Sequence, residues 1–456
     1  MNLNRFHNSK RIFKVLSCAQ LALLVSLLGG AEATAAAVDR GLGLREAVNE
    51  ALAKNPKVSS VKERVNQAET QIPVVRSTML PTVSLLGSAQ EHKDSVDSPM
   101  VRFGGNIYNS YQTDLRLTQS LFVYGSIAAL ESAHKERELR KLDREITERV
   151  LTNDVILAFF DVVLQMRNVE TLKREEGIVK ESLSVAEKRS RTGRGQVLDV
   201  LQVKTQLALL KTQISEAEND VKIAAAKLAN LLGDPRAKEI KVKNVLEVPE
   251  LSYFDKDVKL KEFRLLELER NRTAIAQIEN MKATSLGSHM PSLAATADYY
   301  YNSTKQADLF ADTASSWAVG LTLTIPIFSG FSSYYQQQGY NSQRLQLEYE
   351  RSSIENSASL QQVTARKNLE TASQGIVQGK ETLKIATQAS DEARRMFRLS
   401  VIDLMQFLEV QTSYVQAESA LNNSKYNYLA ALVAYFGASG QELDRLVDVL
   451  EEGAGK

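Results

Sequence analysis

The side chains best able to do chemistry are few in this sequence, and their spacing argues against catalysis. Four histidines occur, His7, His92, His134 and His289, and none stands in a metal-ligand spacing. The one cysteine, Cys18, lies in a leader segment, so the remaining chain has neither a disulfide nor thiol chemistry. Gly193-Arg194-Gly195 carries the glycines of a phosphate cradle, but it follows a long helical pattern rather than a strand. It reads as a turn between two helices, with glycine supplying a left-handed residue. No enzyme, cofactor or metal site follows from these residues. Asp114 and Arg116 alternate with apolar residues instead, so they would face water from one side of a strand.

The elements that position such residues begin with an address. Arg5, Lys10, Arg11 and Lys14 form a basic start, residues 15–28 an apolar run too short to span, and residues 29–37 a small-residue stretch. This reads as a secretory signal peptide over residues 1–37, cleaved within 33–37. Lipid attachment at Cys18 is disfavoured because the leucine-rich run follows the cysteine instead of preceding it. The 456 residues are 24% charged with a formal charge of +1, so no basic excess points to nucleic acid. No stretch of the body reaches about 18 consecutive apolar residues, which excludes an ordinary helical membrane protein. A soluble helical protein or a β-barrel membrane protein is left.

The body is a duplication. Leu80-Pro81-Thr82-Val83 recurs as Met290-Pro291-Ser292-Leu293, and Leu117-Thr118-Gln119-Ser120-Leu121-Phe122 as Leu323-Thr324-Ile325-Pro326-Ile327-Phe328. Val200-Leu201-Gln202-Val203-Lys204-Thr205 recurs as Phe407-Leu408-Glu409-Val410-Gln411-Thr412, and Leu231-Leu232-Gly233 as Tyr435-Phe436-Gly437. Four matches in one order, each 204 to 210 positions on, define two structural repeats.

Each repeat reads helix, strand, strand, very long helix, turn, helix. Helical pattern covers residues 44–77, and Pro81 then opens a strand. Leu293, Ala295, Ala297, Tyr299 and Tyr301 alternate with Ser292, Thr296 and Asp298, and Trp317, Val319, Leu321, Leu323 and Ile325 with Ser316, Gly320, Thr322 and Thr324. Period two over about ten residues, with aromatics near the ends, is the pattern of a transmembrane β-strand. Residues 126–191 then hold no proline and one glycine, and no proline follows Pro326. A helix of 65 residues would be about 100 Å long, too long for a globular core. Leu207, Leu210, Ile214, Ala217, Val221, Ala224, Leu228 and Leu231 recur three and four apart, a heptad seam.

Four strands cannot close a barrel, and lipid tolerates no open edge. Two chains would supply eight strands, which side chains fill, whereas three would supply twelve and leave a passage. The expected fold class is a mixed α/β membrane protein in which three chains share a 12-stranded barrel. The first repeat is placed at 38–233, with strands about 81–90 and 110–122 and a coiled-coil hairpin about 126–232. The second is placed at 259–437, with strands about 291–301 and 316–327 and a hairpin about 331–436.

The paired strand starts at Leu80-Pro81 and Met290-Pro291 and the strand ends Leu-Thr-Gln-Ser-Leu-Phe and Ile-Pro-Ile-Phe-Ser-Gly resemble the TolC-like outer-membrane efflux family. So do Arg191-Thr192-Gly193 before Leu198-Asp199-Val200-Leu201 and the closing run Lys425-Tyr426-Asn427-Tyr428-Leu429. The resemblance spans essentially the whole mature chain. It implies a homotrimer in the outer membrane of a Gram-negative bacterium, continued by a periplasmic α-helical coiled-coil tunnel. It also implies an equatorial layer, placed at 234–258 and 438–456, where the last segment is either equatorial or a tail. The implied function is the exit duct of a tripartite efflux or type I secretion system, joined to a periplasmic adaptor and an inner-membrane transporter.

In the family the hairpin tips close the periplasmic end. By resemblance Asp199 is an aperture carboxylate, Phe397 the aperture aromatic, and Ile402 stands where the family has an arginine. The family's two acidic positions fall on Gln406 and Glu409, so its latch is not retained residue by residue, and Arg395 or Arg398 becomes the candidate cation. Adaptor contact is expected at the turns, Thr192-Gly193-Arg194 and Leu399-Ser400-Val401, with Ser400 where the family usually has glycine. A periplasmic adaptor would carry one hairpin and a biotinyl-like β-domain, and a structural coiled coil would carry no strands. Two hairpins and two alternating strand pairs argue against both.

Overall fold

The computed structural model describes residues 41–93, 107–193, 195–234, 242–243, 265–441 and 443–453. The signal peptide, Arg194 and, apart from Asp234, Val242 and Lys243, the 234–258 linker fall outside the described residues. Helices α1 (Leu44–Lys54) and α2 (Pro56–Ser77) precede strands β1 (Thr82–Lys93) and β2 (Ile107–Val123). Long helix α3 (Tyr124–Arg191) and its return α4 (Val197–Leu232) complete the first repeat. The second runs through α5 (Leu266–Leu286), β3 (Ser292–Ser303), β4 (Ser315–Thr324), α6 (Ser332–Arg398) and α7 (Leu404–Ala438), and α8 (Leu443–Gly453) follows.

The helical pattern at 44–77 is not one helix. Asn55 ends α1 and caps α2: its side-chain oxygen accepts the Lys57 N–H at 2.8 Å, and its Nδ2 donates to the Leu231 carbonyl at 2.8 Å. Pro56 takes the first helical position, where its missing N–H costs nothing, while its ring excludes Asn55 from a continuing helix. Pro73 is accommodated inside α2.

The four strands form one antiparallel sheet in the order β1-β2-β3-β4, so β2 and β3 join the two repeats. Among the described residues the outer edges of β1 and β4 have no pairing partner. The register keeps the faces separate across every strand. Leu85 pairs with Leu115, Leu115 with Tyr299 and Tyr299 with Trp317 on one face. Ser84 pairs with Arg116, Arg116 with Asp298 and Asp298 with Ala318 on the other. A bulge at Ser120/Phe122 breaks the simple alternation of β2 and brings Phe122 opposite Leu293 on the apolar face. β4 stops at Thr324, short of the expected 327, because Pro326 has no N–H for the ladder.

The apolar face is uncovered: Trp317 is 74% and Leu321 70% exposed, with Val83, Leu85, Val319 and Leu323 also exposed. In water such a face would cost about 25 cal/mol per Å² of apolar surface left unburied. No helix of the described residues is long and apolar enough to cross a membrane.

The helices are built for length. α3 has 68 residues and α6 has 67, about 100 Å each at 1.5 Å per residue. Their main core lies where α1, α3, α4, α7 and α8 meet, with Val155, Ile156, Val163, Leu228, Tyr428, Leu432 and Leu446 fully buried. At the strand ends, the start of α3 crosses the end of α5 so closely that a Cβ on Gly287 would lie 2.6 Å from the Gly125 Cα. His289 ties the same junction: Ser333 Oγ is 2.6 Å from its Nδ1 and Ser329 Oγ 3.0 Å from its Nε2. This histidine is therefore a joint between β3 and α6, which accounts for its isolation from any metal-ligand pattern.

Candidate channel-lining and tip sites

Two regions can act on solutes or partners, the polar face of the sheet and the helical tips. Outside Glu91 and Lys93 at the far end of β1, the acidic and basic residues of the strands are Asp114, Arg116 and Asp298. All three share the polar face. Arg116 Nε donates to Asp298 Oδ1 at 2.5 Å, and its Nη2 lies 3.0 Å from Asp114 Oδ2. Asp114 is only 4% exposed, and its Oδ1 has no hydrogen-bond partner among the described residues.

The two tips are near-copies. α3 ends at Arg191, and Gly193 turns the chain with φ +70°, its N–H bonded to the Ser190 carbonyl at 3.2 Å. α6 ends at Arg398, and Ser400 holds φ +63°. There Val401 donates to the Met396 carbonyl at 2.9 Å and Ser400 to Phe397 at 3.1 Å, which completes the double closure typical of a left-handed helix end. Each return helix starts with a reciprocal cap. The Gln196 N–H donates to Asp199 Oδ2 at 3.4 Å, and Asp403 Oδ1 accepts the Gln406 N–H at 2.8 Å while Gln406 Oε1 accepts the Asp403 N–H at 3.4 Å. Asp199 and Gln406 thus have a local task that needs no threefold axis. Glu409 lies further along α7, one residue before Val410, a half-buried member of the seam around Phe407.

Phe397 is buried within the chain. It is 4% exposed, stacked on Phe407 with ring centroids 4.8 Å apart, and packed with Val179, Val203 and Leu404. Ile402 packs half-buried against the same cluster, so an apolar side chain at this position fills the seam. Neither candidate cation reaches Asp199 within the chain. Arg395 pairs with Glu392 at 3.0 Å, and Arg398 pairs with Glu181.

The cation that does organise the tip is Arg189, which sequence reasoning missed. Its guanidinium carbon lies 4.8 Å from the Phe397 ring centroid, and its Nη2 donates to the Phe397 carbonyl and, at 3.4 Å, to that of Arg398. It closes the carboxyl end of α6 from the neighbouring hairpin, where carbonyls lack helical partners and a cation is favoured. The signal was present, since Arg189 and Phe397 stand 208 residues apart, close to the repeat spacing. Equivalent helices running side by side bring such positions to one level.

Further from the tip, Glu175 of α3 is 6% exposed between the hairpins, and its Oε2 has no hydrogen-bond partner among the described residues. Burial pushes its carboxyl up to about 7, against the opposing pull of Arg394 on α6. Nearby, Arg174 pairs with Glu418, and Ser390 and Gln411 bond to each other out of water at 3.0 Å.

Around the turns, Val197, Leu198, Leu201, Leu399, Val401 and Met405 are exposed. Thr192 is tied back to the Lys188 and Arg189 carbonyls at 3.1 Å. The tip therefore presents an apolar rim on a stiff turn.

A sheet wet on one face and apolar on the other, mounted on paired helices about 100 Å long, defines the class of outer-membrane channel proteins. Residues 47–234 and 273–441 match the family model "Outer membrane efflux protein", and the chain belongs to that family. It is a transport protein of the outer membrane that extends into the periplasm, not an enzyme. It is 25% identical over 308 residues to Protein CyaE of Bordetella pertussis, covering 65% of this chain and 63% of that protein's length. It is 22% identical over 428 residues to Outer membrane protein TolC of Vibrio cholerae, covering 90% and 93%. The crystal structure of the outer membrane protein VceC from Vibrio cholerae superposes with a TM-score of 0.75 at 17% identity, covering 87% of this chain and 96% of that one.

Proposed function

We propose that three copies of this chain close one twelve-stranded barrel in the outer membrane and continue it as a periplasmic helical tunnel. The duct carries solutes delivered by an inner-membrane transporter and a periplasmic adaptor to the cell exterior, in drug efflux or type I secretion. The single observation that carries this reading is the sheet. Among the described residues it has two unpaired edges, one face of exposed apolar residues and one mostly of polar residues, in an antiparallel register interrupted by the single bulge at Ser120/Phe122. Lipid demands that the edges be paired, and only other copies supply strands of matching length and facing. Two copies would leave no passage, and three leave one. The exposed apolar rim at Leu399, Val401, Val197 and Leu198 supports adaptor docking at the tips. Asp199 and Glu409 supply carboxylates close to the threefold axis in this assembly, while Arg189, Arg398 and Glu181 hold the two hairpins of each chain together.

Purified protein in detergent gives a trimer by light scattering and discrete conductance steps in planar bilayers. A monodisperse monomer that stays soluble without detergent overturns the reading.

A further inference from the structure

Asp114, Arg116 and Asp298 sit on the polar face in two adjacent rows, near the middle of β2 (Ile107–Val123) and β3 (Ser292–Ser303). Asp298 stands directly opposite Arg116, and Asp114 opposite Tyr300 on one side and Leu86 on the other. One guanidinium is shared by two carboxylates, at 2.5 Å to Asp298 and 3.0 Å to Asp114. A single ion pair would leave this level of the sheet neutral. The second carboxylate leaves one negative charge per chain, and Asp114 Oδ1 is buried with no hydrogen-bond partner among the described residues. A folded sheet gains nothing from a surplus buried carboxylate, because desolvating a charge without a full set of partners is costly. The surplus is explained if the charge acts on what passes.

We propose that Asp114, Arg116 and Asp298 form a net-negative belt midway up the barrel lumen that favours cationic over anionic solutes. The inference rests on the trimeric channel reading, in which the polar face lines the lumen. Three chains place three surplus charges around one aqueous cross-section. The ligand class is a hydrated metal cation or an organic polyamine, held by field rather than by direct coordination. Asp298 supplies the acceptor that fixes Arg116, Arg116 sets the sign of the belt, and Asp114 carries the unshared charge. Because a wide lumen is screened, the selectivity is strongest at low ionic strength, where the Debye length grows from about 10 Å at 0.1 M salt to about 30 Å at 0.01 M. The belt is separate from Asp199, which lies at the opposite end of a helix about 100 Å long.

Reversal potentials in planar bilayers under a KCl gradient test it with variants of opposite sign. Asp298→Asn leaves one carboxylate for Arg116, and the cation-to-anion permeability ratio falls at least twofold at low salt. Arg116→Gln doubles the surplus and raises that ratio at least twofold. Block by spermine added on the barrel side weakens in the first variant and strengthens in the second. A mere loss of packing would move both variants the same way, so the opposite signs report charge. Equal ratios in wild type and both variants, or shifts of one sign, overturn the belt while leaving the channel intact. A wild-type preparation with no conductance overturns the channel reading and the belt with it.

Discussion

Gly193 and Ser400 occupy equivalent positions 207 residues apart, and both hold left-handed backbone, with φ +70° and +63°. A residue with a Cβ pays about 1–2 kcal/mol for that conformation, and glycine pays in unfolded-state entropy instead. Ser400→Gly therefore stabilises the second tip by about 0.5–1 kcal/mol, and Gly193→Ser destabilises the first by about 1 kcal/mol. Limited proteolysis at the tips and thermal melts of the two variants check the opposite signs.

Arg189→Ala removes a contact over the Phe397 ring and two hydrogen bonds to the end of α6. The expected loss is about 1–2 kcal/mol of hairpin-to-hairpin stability. Arg189→Lys recovers part of it, because an ammonium keeps the charge but not the planar fork. Hydrogen exchange of the last turn of α6 should rise in the alanine variant and stay low in α4. Uniform exchange across both helices would show that Arg189 does not close that end.

The polarity of the sheet faces predicts a sharp contrast between neighbours. Leu321 lies on the apolar face opposite Ala295, and Thr322 on the polar face opposite Ala294. An arginine facing lipid at mid-bilayer costs roughly 2–4 kcal/mol, whereas one facing the lumen is hydrated. Leu321→Arg should reduce the assembled fraction on semi-native gels well below that of Thr322→Arg. Equal fractions would mean that this face does not meet lipid.

The strand alternation, the two repeats and the length of the helices were legible because each leaves a period in the sequence. Period two exposes the faces of β3 and β4, and the 204 to 210 offset exposes the duplication. The tip chemistry was less legible. Phe397 corresponds to an aperture aromatic by family resemblance, and its burial against Phe407 depends on how two helices pack, which no local pattern encodes. Within the chain Arg398 pairs with Glu181 of α3, a contact set by side-chain reach across hairpins. The break at Asn55 follows from residues read in isolation. Pro56 bars Asn55 from a continuing helix without any tertiary contact, and only the added amide bond from Asn55 to Leu231 needs α4 beside it.

Asp199 carries two separable roles, a local cap and a field at the tunnel end. Asp199→Asn keeps an oxygen to accept the Gln196 N–H, which sits at 3.4 Å, but removes the charge. Asp199→Ala removes both, at a capping cost of about 1 kcal/mol. If the carboxylates form a ring at the constriction, both variants lower cation selectivity and weaken block by multivalent cations added on the periplasmic side. If they also hold the aperture narrow, both raise single-channel conductance. A change in conductance confined to Asp199→Ala assigns the effect to the lost cap and not to the charge.

Glu175 makes the hairpin seam depend on pH. Burial raises its carboxyl to about 7, so between its ordinary range and that value the folded chain binds a proton that the unfolded chain has lost. Stability then falls as pH rises through this window, because ionising Glu175 in place is unfavourable and Arg394 offsets only part of the cost. The direction is opposite to that of a carboxylate whose pKa is depressed by a salt bridge. The full difference is on the order of 2–3 kcal/mol between pH 5 and pH 8, taking 1.36 kcal/mol per pKa unit. Glu175→Gln holds the neutral form at every pH, so the variant should match wild type at pH 5 and melt at a higher temperature at pH 8. Circular dichroism melts of the detergent-solubilised protein at both pH values measure this, and a wild-type and variant difference that is the same at pH 5 and pH 8 would rule out titration of Glu175 as its source.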